Sequence, residues 1–271
     1  LTTVADALDS ALVALTAARV DSPRLDAELL LADALGVDRT QLYLEPELRV
    51  EGPPVRRFQD LVRRRAVERE PVAYLLGRKG FRRLELEVDG RVLVPRPETE
   101  LLVEVAVAQL APGARVVDVG TGSGAIALAL ADERPDLRVT GSDVSADALA
   151  VARANATRLG LPVEWVEADG LPSGEWDAVV ANLPYVATGE RLAPEIARHE
   201  PALALFAGPD GLDAIRALVA RAAHRIAWLA LEHGAEQGAT VRALLRGAGY
   251  ARVRTARDLA GHERVTVARG D

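Results

Sequence analysis

Val116 to Leu130 reads VVDVGTGSGAIALAL: a short apolar run, a segment with glycine at alternate positions, then a second apolar run. The first run predicts a buried strand and the second a buried helix, with the glycine segment turning the chain between them. Gly120, Gly122 and Gly124 permit a tight corner and let a ligand lie against bare backbone. The helix start then points amide hydrogens at that ligand. Such a unit opens an α/β sheet, and it sets the expectation for everything downstream.

From Ala114 onward strand and helix patterns alternate. Strands are expected at Arg115–Val119, Arg138–Ser142, Val163–Glu167, Ala178–Ala181 and Ile226–Leu231, separated by segments rich in Ala and Leu. This is the pattern of a mainly parallel, doubly wound sheet. The last stretch, ARVRTARDLAGHERVTVARG, adds two further strands, the final pair antiparallel.

Toward the amino terminus the texture differs. The first ~75 residues read as helices throughout. Leu8, Ala11, Leu12 and Leu15 recur at helical spacing, as do Leu25, Leu29, Leu30 and Leu31 with Ala32. Ser22-Pro23 supplies a capping hydroxyl and a proline at the first helical position. A third helix is expected from Pro54 to Val67. Then FRRLELEV (Phe81 to Val88), a turn at Asp89-Gly90 and the following RVLV predict a β-hairpin. PRPETE, Pro95 to Glu100, opens a helix carrying Leu101, Leu102, Val105 and Val107. The expected organisation is a helical domain at 1–77, a hairpin linker at 78–95 and an α/β domain at 96–271.

Composition narrows the function. At 271 residues and 49% hydrophobic, the chain can bury at least one full core. It has no cysteine, which excludes disulfides, thiolate metal sites and a cysteine nucleophile. No apolar run reaches membrane-span length, and LTTVADALDSALVAL is a poor signal peptide, so a cytoplasmic protein is expected. His199, His224, His233 and His262 show no ligand spacing, and no metal is expected. A net charge of −7 and a pI near 5.3 argue against a dedicated nucleic-acid binder. The local exception is Arg56, Arg57, Arg63, Arg64 and Arg65, read as a solvated helix face balanced by Glu68 and Glu70.

The glycine loop is G-x-G-x-G after an acid, Asp118, rather than the G-x-G-x-x-G of a pyrophosphate cradle. Asp143 ends the next strand at the distance expected for a partner of ribose hydroxyls, and Asp169 ends the third beside the place for an adenine. Acids at the carboxyl ends of successive strands suit a cationic nucleoside. S-adenosylmethionine fits: it has a ribose, an adenine and an α-amino group that Asp118 can attract directly or through water.

A fourth strand stops abruptly in WDAVVANLPYVATG, Trp176 to Gly189, at Asn182-Leu183-Pro184-Tyr185. The Asn182 amide can accept from an N–H and donate elsewhere. Pro184 keeps Leu183 extended and fixes the direction of its carbonyl. Tyr185 offers a flat face. Together these residues form a jaw for a planar NH2 group, aiming its nitrogen at the sulfonium methyl, with Asn182 and Tyr185 as the candidate catalytic pair. Positioning that nitrogen and stabilising its developing charge are the levers open to the protein.

With these motifs the chain resembles the protein-(glutamine-N5) methyltransferases that modify peptide chain release factors. The resemblance covers SPRLDAELLLADALG (Ser22–Gly36), REPVAYLLG (Arg69–Gly77), VLVPRPETELLVE (Val92–Glu104), DVGTGSGAIALALA (Asp118–Ala131), ANLPY (Ala181–Tyr185), HEPALALFAGPDGLD (His199–Asp213) and LEHGAEQG (Leu231–Gly238). Pro-Arg-Pro-Glu-Thr-Glu is the specific part, because general methyltransferases lack it. The resemblance implies a Rossmann-like class I methyltransferase sheet behind a helical domain that helps dock the substrate protein. It implies S-adenosylmethionine held by Gly120, Thr121, Gly122, Ser123, Gly124, Asp143, Asp169 and Gly170, bordered by Asn182. The acceptor it implies is the glutamine of a Gly-Gly-Gln loop, held by Asn182 and the carbonyl that follows. Two departures stand out: Leu183 replaces the first proline of the usual Asn-Pro-Pro-Tyr, and Gly170 stands where many relatives carry an aromatic residue.

Rival readings share parts of this site. A methyltransferase acting on a glutamine of a large-subunit ribosomal protein has the same jaw. A nucleic-acid N-methyltransferase holds an exocyclic amine similarly, but the acidic balance and the lack of a target-recognition segment count against DNA. A cofactor-binding scaffold without catalysis is suggested by Leu183 alone, whereas Asn182 and Tyr185 are both present.

Overall fold

Helix α1 (Val4–Ala17) starts in a capping box: the Thr3 hydroxyl accepts from the Asp6 amide at 3.1 Å, and the Asp6 carboxylate accepts from the Thr3 amide at 3.0 Å. Helix α2 (Pro23–Leu35) begins on proline as the sequence predicts. The Ser22 hydroxyl makes no cap bond, however; the Ser22 carbonyl accepts from the Asp26 amide instead. Helices α3 (Arg39–Leu44), α4 (Pro53–Arg63) and α5 (Val72–Leu76) follow. Their apolar faces meet around Leu8, Leu15, Leu30, Leu31, Phe58 and Leu61, all buried. Helix alone was expected here, yet Thr2–Thr3 (β1) and Arg49–Val50 (β2) pair antiparallel. The third helix also departs from expectation: α4 loosens after Arg63 into a π-helical turn, Arg64–Glu68.

In the computed structural model, which describes residues 2–270, these elements form one unit up to Gly77 that also takes in Leu192–His199. Arg65, in the π-helical turn, is only 6% exposed. Its Nε donates to the Asp26 carboxylate at 2.7 Å and its Nη2 to Glu195 at 3.2 Å, and Arg69 reaches Glu195 at 2.7 Å. The rest of the arginine cluster lies outside: Arg57 pairs with Asp33, Arg63 with Asp60 and Glu68, and Arg64 with Glu70. Carboxylates thus match these guanidinium groups, as a solvated helix face requires.

The second unit holds Arg78–Arg191 and the chain from Glu200 onward. It opens with an antiparallel hairpin, β3 (Arg78–Phe81) and β4 (Leu84–Glu87), in which Phe81 faces Leu84. The hairpin turns at Arg82-Arg83, with Arg82 at a φ of 53°, and not at Asp89-Gly90 as expected. Asp89 makes a different turn. Its carboxylate accepts from the Arg91 amide at 3.0 Å and its carbonyl from the Val92 amide at 3.1 Å. Amides spent in this way cannot feed a ladder, so RVLV is no strand. The hairpin is built into the second unit through Asn155, whose side chain accepts from the Glu87 amide and donates to the Glu87 carbonyl.

After a 3₁₀ turn at Pro97–Thr99 come α6 (Glu100–Gln109), β5 (Arg115–Val119), α7 (Ala125–Glu133), β6 (Arg138–Asp143), α8 (Ala146–Leu159), β7 (Glu164–Glu167) and β8 (Ala178–Ala181). Helix α9 (Pro194–His199) lies in the segment that belongs to the first unit, and α10 (Asp213–Ala222), β9 (Trp228–Glu232), α11 (Gly238–Gly247), β10 (Arg252–Arg257) and β11 (Glu263–Arg269) complete the chain. The seven-stranded sheet runs β10-β11-β9-β8-β5-β6-β7, with β5 to β9 parallel and β11 antiparallel to both its neighbours. Register stacks like with like: Val117, Val179 and Leu229 form one row and Val119, Ala181 and Leu231 the next. Both rows pack against Ile215, Leu218, Val241 and Leu245 of α10 and α11. Crossing order places β8 between β5 and β9, so the carboxyl ends of these strands share one rim.

Arg65→Met removes the cation while leaving Asp26 buried. It is expected to destabilise the protein by about 3 kcal/mol or more, the scale for breaking one side of a buried ion pair. Urea unfolding of the variant beside the parent measures this, and an unchanged midpoint would rule out the buried cation as a support of this unit.

Candidate active site

The glycine loop joins β5 to α7 under several constraints. Gly120, Gly122 and Gly124 take φ values of 74°, 56° and 85°, where a Cβ is strained. The amides of Gly120 and Thr121 both donate to the Ser142 carbonyl, and Gly122 donates to Asp143 Oδ2 at 2.9 Å. Beneath the loop lies Asp118, fully buried. Its Oδ2 accepts from the Thr121 hydroxyl at 2.6 Å and from the Ala127 amide at 3.2 Å, tying the loop to the first turn of α7. Burial pushes the Asp118 carboxyl up to about 7, against the pull of those two hydrogen bonds, and the charge of Asp143 adds to the rise.

Above the loop is a cavity of about 320 Å³. Gly120, Gly122, Asp143, Asp169, Gly170, Asn182, Leu183 and Pro184 all line it, so the structure brings these expected residues together. Asp118, Thr121, Ser123 and Gly124 do not line it. Thr121 and Ser123 are buried, and Gly124 packs against Leu128, Ala152 and Trp165. Of the two routes expected for Asp118, direct and through water, its place beneath the loop and off the cavity lining favours the indirect one. The residues fit a nucleoside with a cationic amino acid tail. Asp118 Oδ1 is a buried acceptor without a partner, Gly120 presents bare backbone, and Asp143 accepts from the amides of Gly122 and Ser145 with lone pairs to spare.

The two departures in the motifs have structural counterparts. Leu183 Cδ2 stands 3.0 Å from where a Cβ on Gly120 would be, so this side chain covers the loop. At Gly170, with a φ of 78°, the Arg221 guanidinium fills the neighbouring space, Nη1 lying 2.6 Å from a Cβ there and donating to the Asp169 carbonyl. This wall of the cavity is formed in part by Arg221.

The jaw is held by segments distant in sequence, which the sequence reading missed. Asn182 Nδ2 donates to the Thr99 hydroxyl oxygen at 3.0 Å. Arg96 and the Val94 amide both donate to Glu200, which is 6% exposed. Beyond the jaw, Val186 pairs with the strand-like stretch around Phe206: its amide donates to the Leu205 carbonyl and its carbonyl accepts from the Ala207 amide. Tyr185 is half-buried, and it is not among the residues lining the cavity. Burial raises its hydroxyl to about 12, and the neighbouring Glu232 carboxylate adds to this. Glu232, the last residue of β9, is 1% exposed, and burial pushes it up to about 7. The quoted LEHGAEQG held this residue, but only its register beside β8 gives it a place in the site.

A seven-stranded sheet with its last two strands antiparallel, a glycine loop and an acid at the next strand end define an S-adenosylmethionine-dependent methyltransferase of class I. Comparison with known proteins makes this specific. A family model described as the PrmC N-terminal domain matches residues 6–77, and one described as the methyltransferase small domain matches residues 97–200. The release factor glutamine methyltransferase of Pseudomonas aeruginosa is 49% identical over 260 residues, 91% of this chain and 93% of its own. That of Xylella fastidiosa strain 9a5c is 44% identical over 274 residues, 97% of this chain and 98% of its own. A solved methyltransferase from Pyrococcus furiosus, 18% identical, covers 69% of this chain and 90% of its own at a TM-score of 0.53, a likeness of fold. The chain belongs to the release factor glutamine methyltransferase family.

Gly120→Ala adds a methyl group at positive φ and against Leu183. It is expected to cost roughly 1–3 kcal/mol of stability, the sum of a left-handed backbone penalty and local overpacking. Thermal or urea unfolding checks it, and a neutral substitution would show that the loop yields without cost.

Proposed function

We propose that this enzyme transfers the methyl group of S-adenosylmethionine to N5 of the glutamine in the Gly-Gly-Gln loop of peptide chain release factors 1 and 2. The observation that carries the reading is Asn182. It lies on the cavity at the carboxyl end of β8, and its Nδ2 is occupied by Thr99. Its Oδ1 is left as an acceptor, which suits a substrate NH2 and not a carbonyl. A second acceptor is the Leu183 carbonyl, kept in place by Pro184.

An amide nitrogen is a weak nucleophile because its lone pair is delocalised into the carbonyl. Acceptors on both N–H bonds stabilise the charge that gathers as the lone pair is freed, and they hold nitrogen in line with the methyl carbon. S-adenosylmethionine held in the cavity would supply the methyl group, its C–S bonding pair going to sulfur as the N–C bond forms. The alkylated nitrogen then gives up its proton, which is acidic at that stage, so no strong base is needed beforehand. In the same reading Gly120, Gly122, Asp143, Asp169 and Gly170 hold the cofactor, and Asp118, Thr121, Ser123 and Gly124 shape the loop that does so. The helical unit serves to dock the release factor.

Labelled methyl transfer to a purified, unmodified release factor tests the reading, beside the same factor with Gly-Gly-Gln changed to Gly-Gly-Ala. Label on the first alone is the expected outcome. Asn182→Ala should lower transfer by more than ~100-fold, the scale for one oriented group at a transition state, while cofactor affinity falls far less. Label on a large-subunit ribosomal protein but on no release factor would redirect the assignment.

A further inference from the structure

Asn182 works only in one orientation. Its amide oxygen must face the substrate, and an Asn amide can turn over by half a revolution at little cost unless its partners forbid it. Its partner is the Thr99 hydroxyl, at 3.0 Å, and a hydroxyl can either accept from Nδ2 or donate to Oδ1. Thr99 by itself therefore does not choose. What chooses is the destination of its single proton.

Next to this pair lies Glu232. Parallel register pairs Ala181 of β8 with Leu231 of β9, so the residues that follow, Asn182 and Glu232, come at neighbouring strand ends. Both carboxylate oxygens of Glu232 are buried and close no hydrogen bond of ordinary geometry, while the hydroxyls of Thr99 and Tyr185 lie near enough to favour its ionised form. The other charged groups facing it are Arg264 on β11 and Glu98 in the 3₁₀ turn, which oppose each other in sign. Arg96, which also bears on Tyr185, is engaged with Glu200. A buried carboxylate with unused acceptor capacity beside a hydroxyl orients that hydroxyl to donate its hydrogen bond to the carboxylate.

Resting on the function proposed above, we propose that Glu232 is a positioning residue: as a carboxylate it accepts a hydrogen bond from the Thr99 hydroxyl, so that Thr99 can only accept from Asn182 Nδ2 and Asn182 Oδ1 is turned to the substrate amide. When Glu232 carries a proton it donates to Thr99. The Thr99 hydroxyl is then free to donate to Asn182 Oδ1, and the acceptor that the substrate needs is lost. Glu232 touches neither substrate nor reacting atoms in this scheme; it acts through Thr99. The Thr of Pro-Arg-Pro-Glu-Thr-Glu and the Glu of LEHGAEQG thereby become parts of one device.

The sign of the pH dependence follows. Burial raises the Glu232 carboxyl to about 7, so the competent, ionised state grows as pH rises through neutrality and is lost below it. Tyr185, raised to about 12, stays neutral throughout.

The test is kcat for methyl transfer to unmodified release factor, from about pH 6 to 8.5, for the parent, Glu232→Gln, Thr99→Val and Thr99→Ser. The parent should show an acid limb near neutrality. Glu232→Gln should flatten that limb and lower the plateau about tenfold, and Thr99→Val should lower kcat by about 10- to 100-fold, with the KM for release factor changed far less. Thr99→Ser should recover most of what Thr99→Val loses. Unchanged affinity for S-adenosylmethionine in each variant separates these effects from misfolding. An acid limb that persists in Glu232→Gln, or parental kcat in Thr99→Val, overturns the proposal. A parent that methylates no release factor overturns the function it rests on, and the proposal with it.

Discussion

The turn between β5 and α7 is held by a carboxylate with no access to water. Asp118 accepts from Thr121 in the loop and from Ala127 in the helix, so one buried group fixes the angle at which α7 leaves the sheet. Such a group is costly to bury, and its acid is pushed up to about 7 as a result. The cost is offset by what the loop then offers: bare glycine backbone facing the cavity, and Asp143 drawn to it by the Gly122 amide.

The jaw obeys a different logic. Four consecutive residues at a strand end cannot supply their own rigidity, and Leu183 in place of a proline makes this more acute. Rigidity comes from outside: Thr99 on the Asn182 amide, Leu183 packed over Gly120, and Val186 paired with the stretch around Phe206. Glu200 ties that stretch back to the segment before α6 through Val94 and Arg96. Pro-Arg-Pro-Glu-Thr-Glu is thus a brace, and its value lies in what it holds.

Much of this was legible in the residues. Apolar runs with glycine or acid at their ends gave β5 to β9, and the last pair of strands was expected antiparallel. Of the acids expected at successive strand ends, Asp143 and Asp169 both line one cavity, and Asp118 lies beneath the glycine loop. Errors arose where local chemistry is degenerate. Asp89-Gly90 is a good hairpin signal, but the hairpin turns at Arg82-Arg83, with Phe81 opposite Leu84, while Asp89 closes its own turn with Arg91 and Val92. Ser22 is a good cap residue, yet Pro23 alone starts α2. Asp118 was given two routes to the ligand, direct or through water, because sequence gives a residue's place along a strand but not the depth of its side chain.

Chain-local physics therefore determined the elements, the glycine corner and the composition of the jaw, because periodicity, turn chemistry and backbone freedom depend on near neighbours. Tertiary structure alone decided which side chains brace which. Thr99 meets Asn182 across 83 residues of chain, and Glu232 joins them only because β8 lies between β5 and β9. Strand order is set by the packing of whole helices on the sheet, and no short window of sequence contains it.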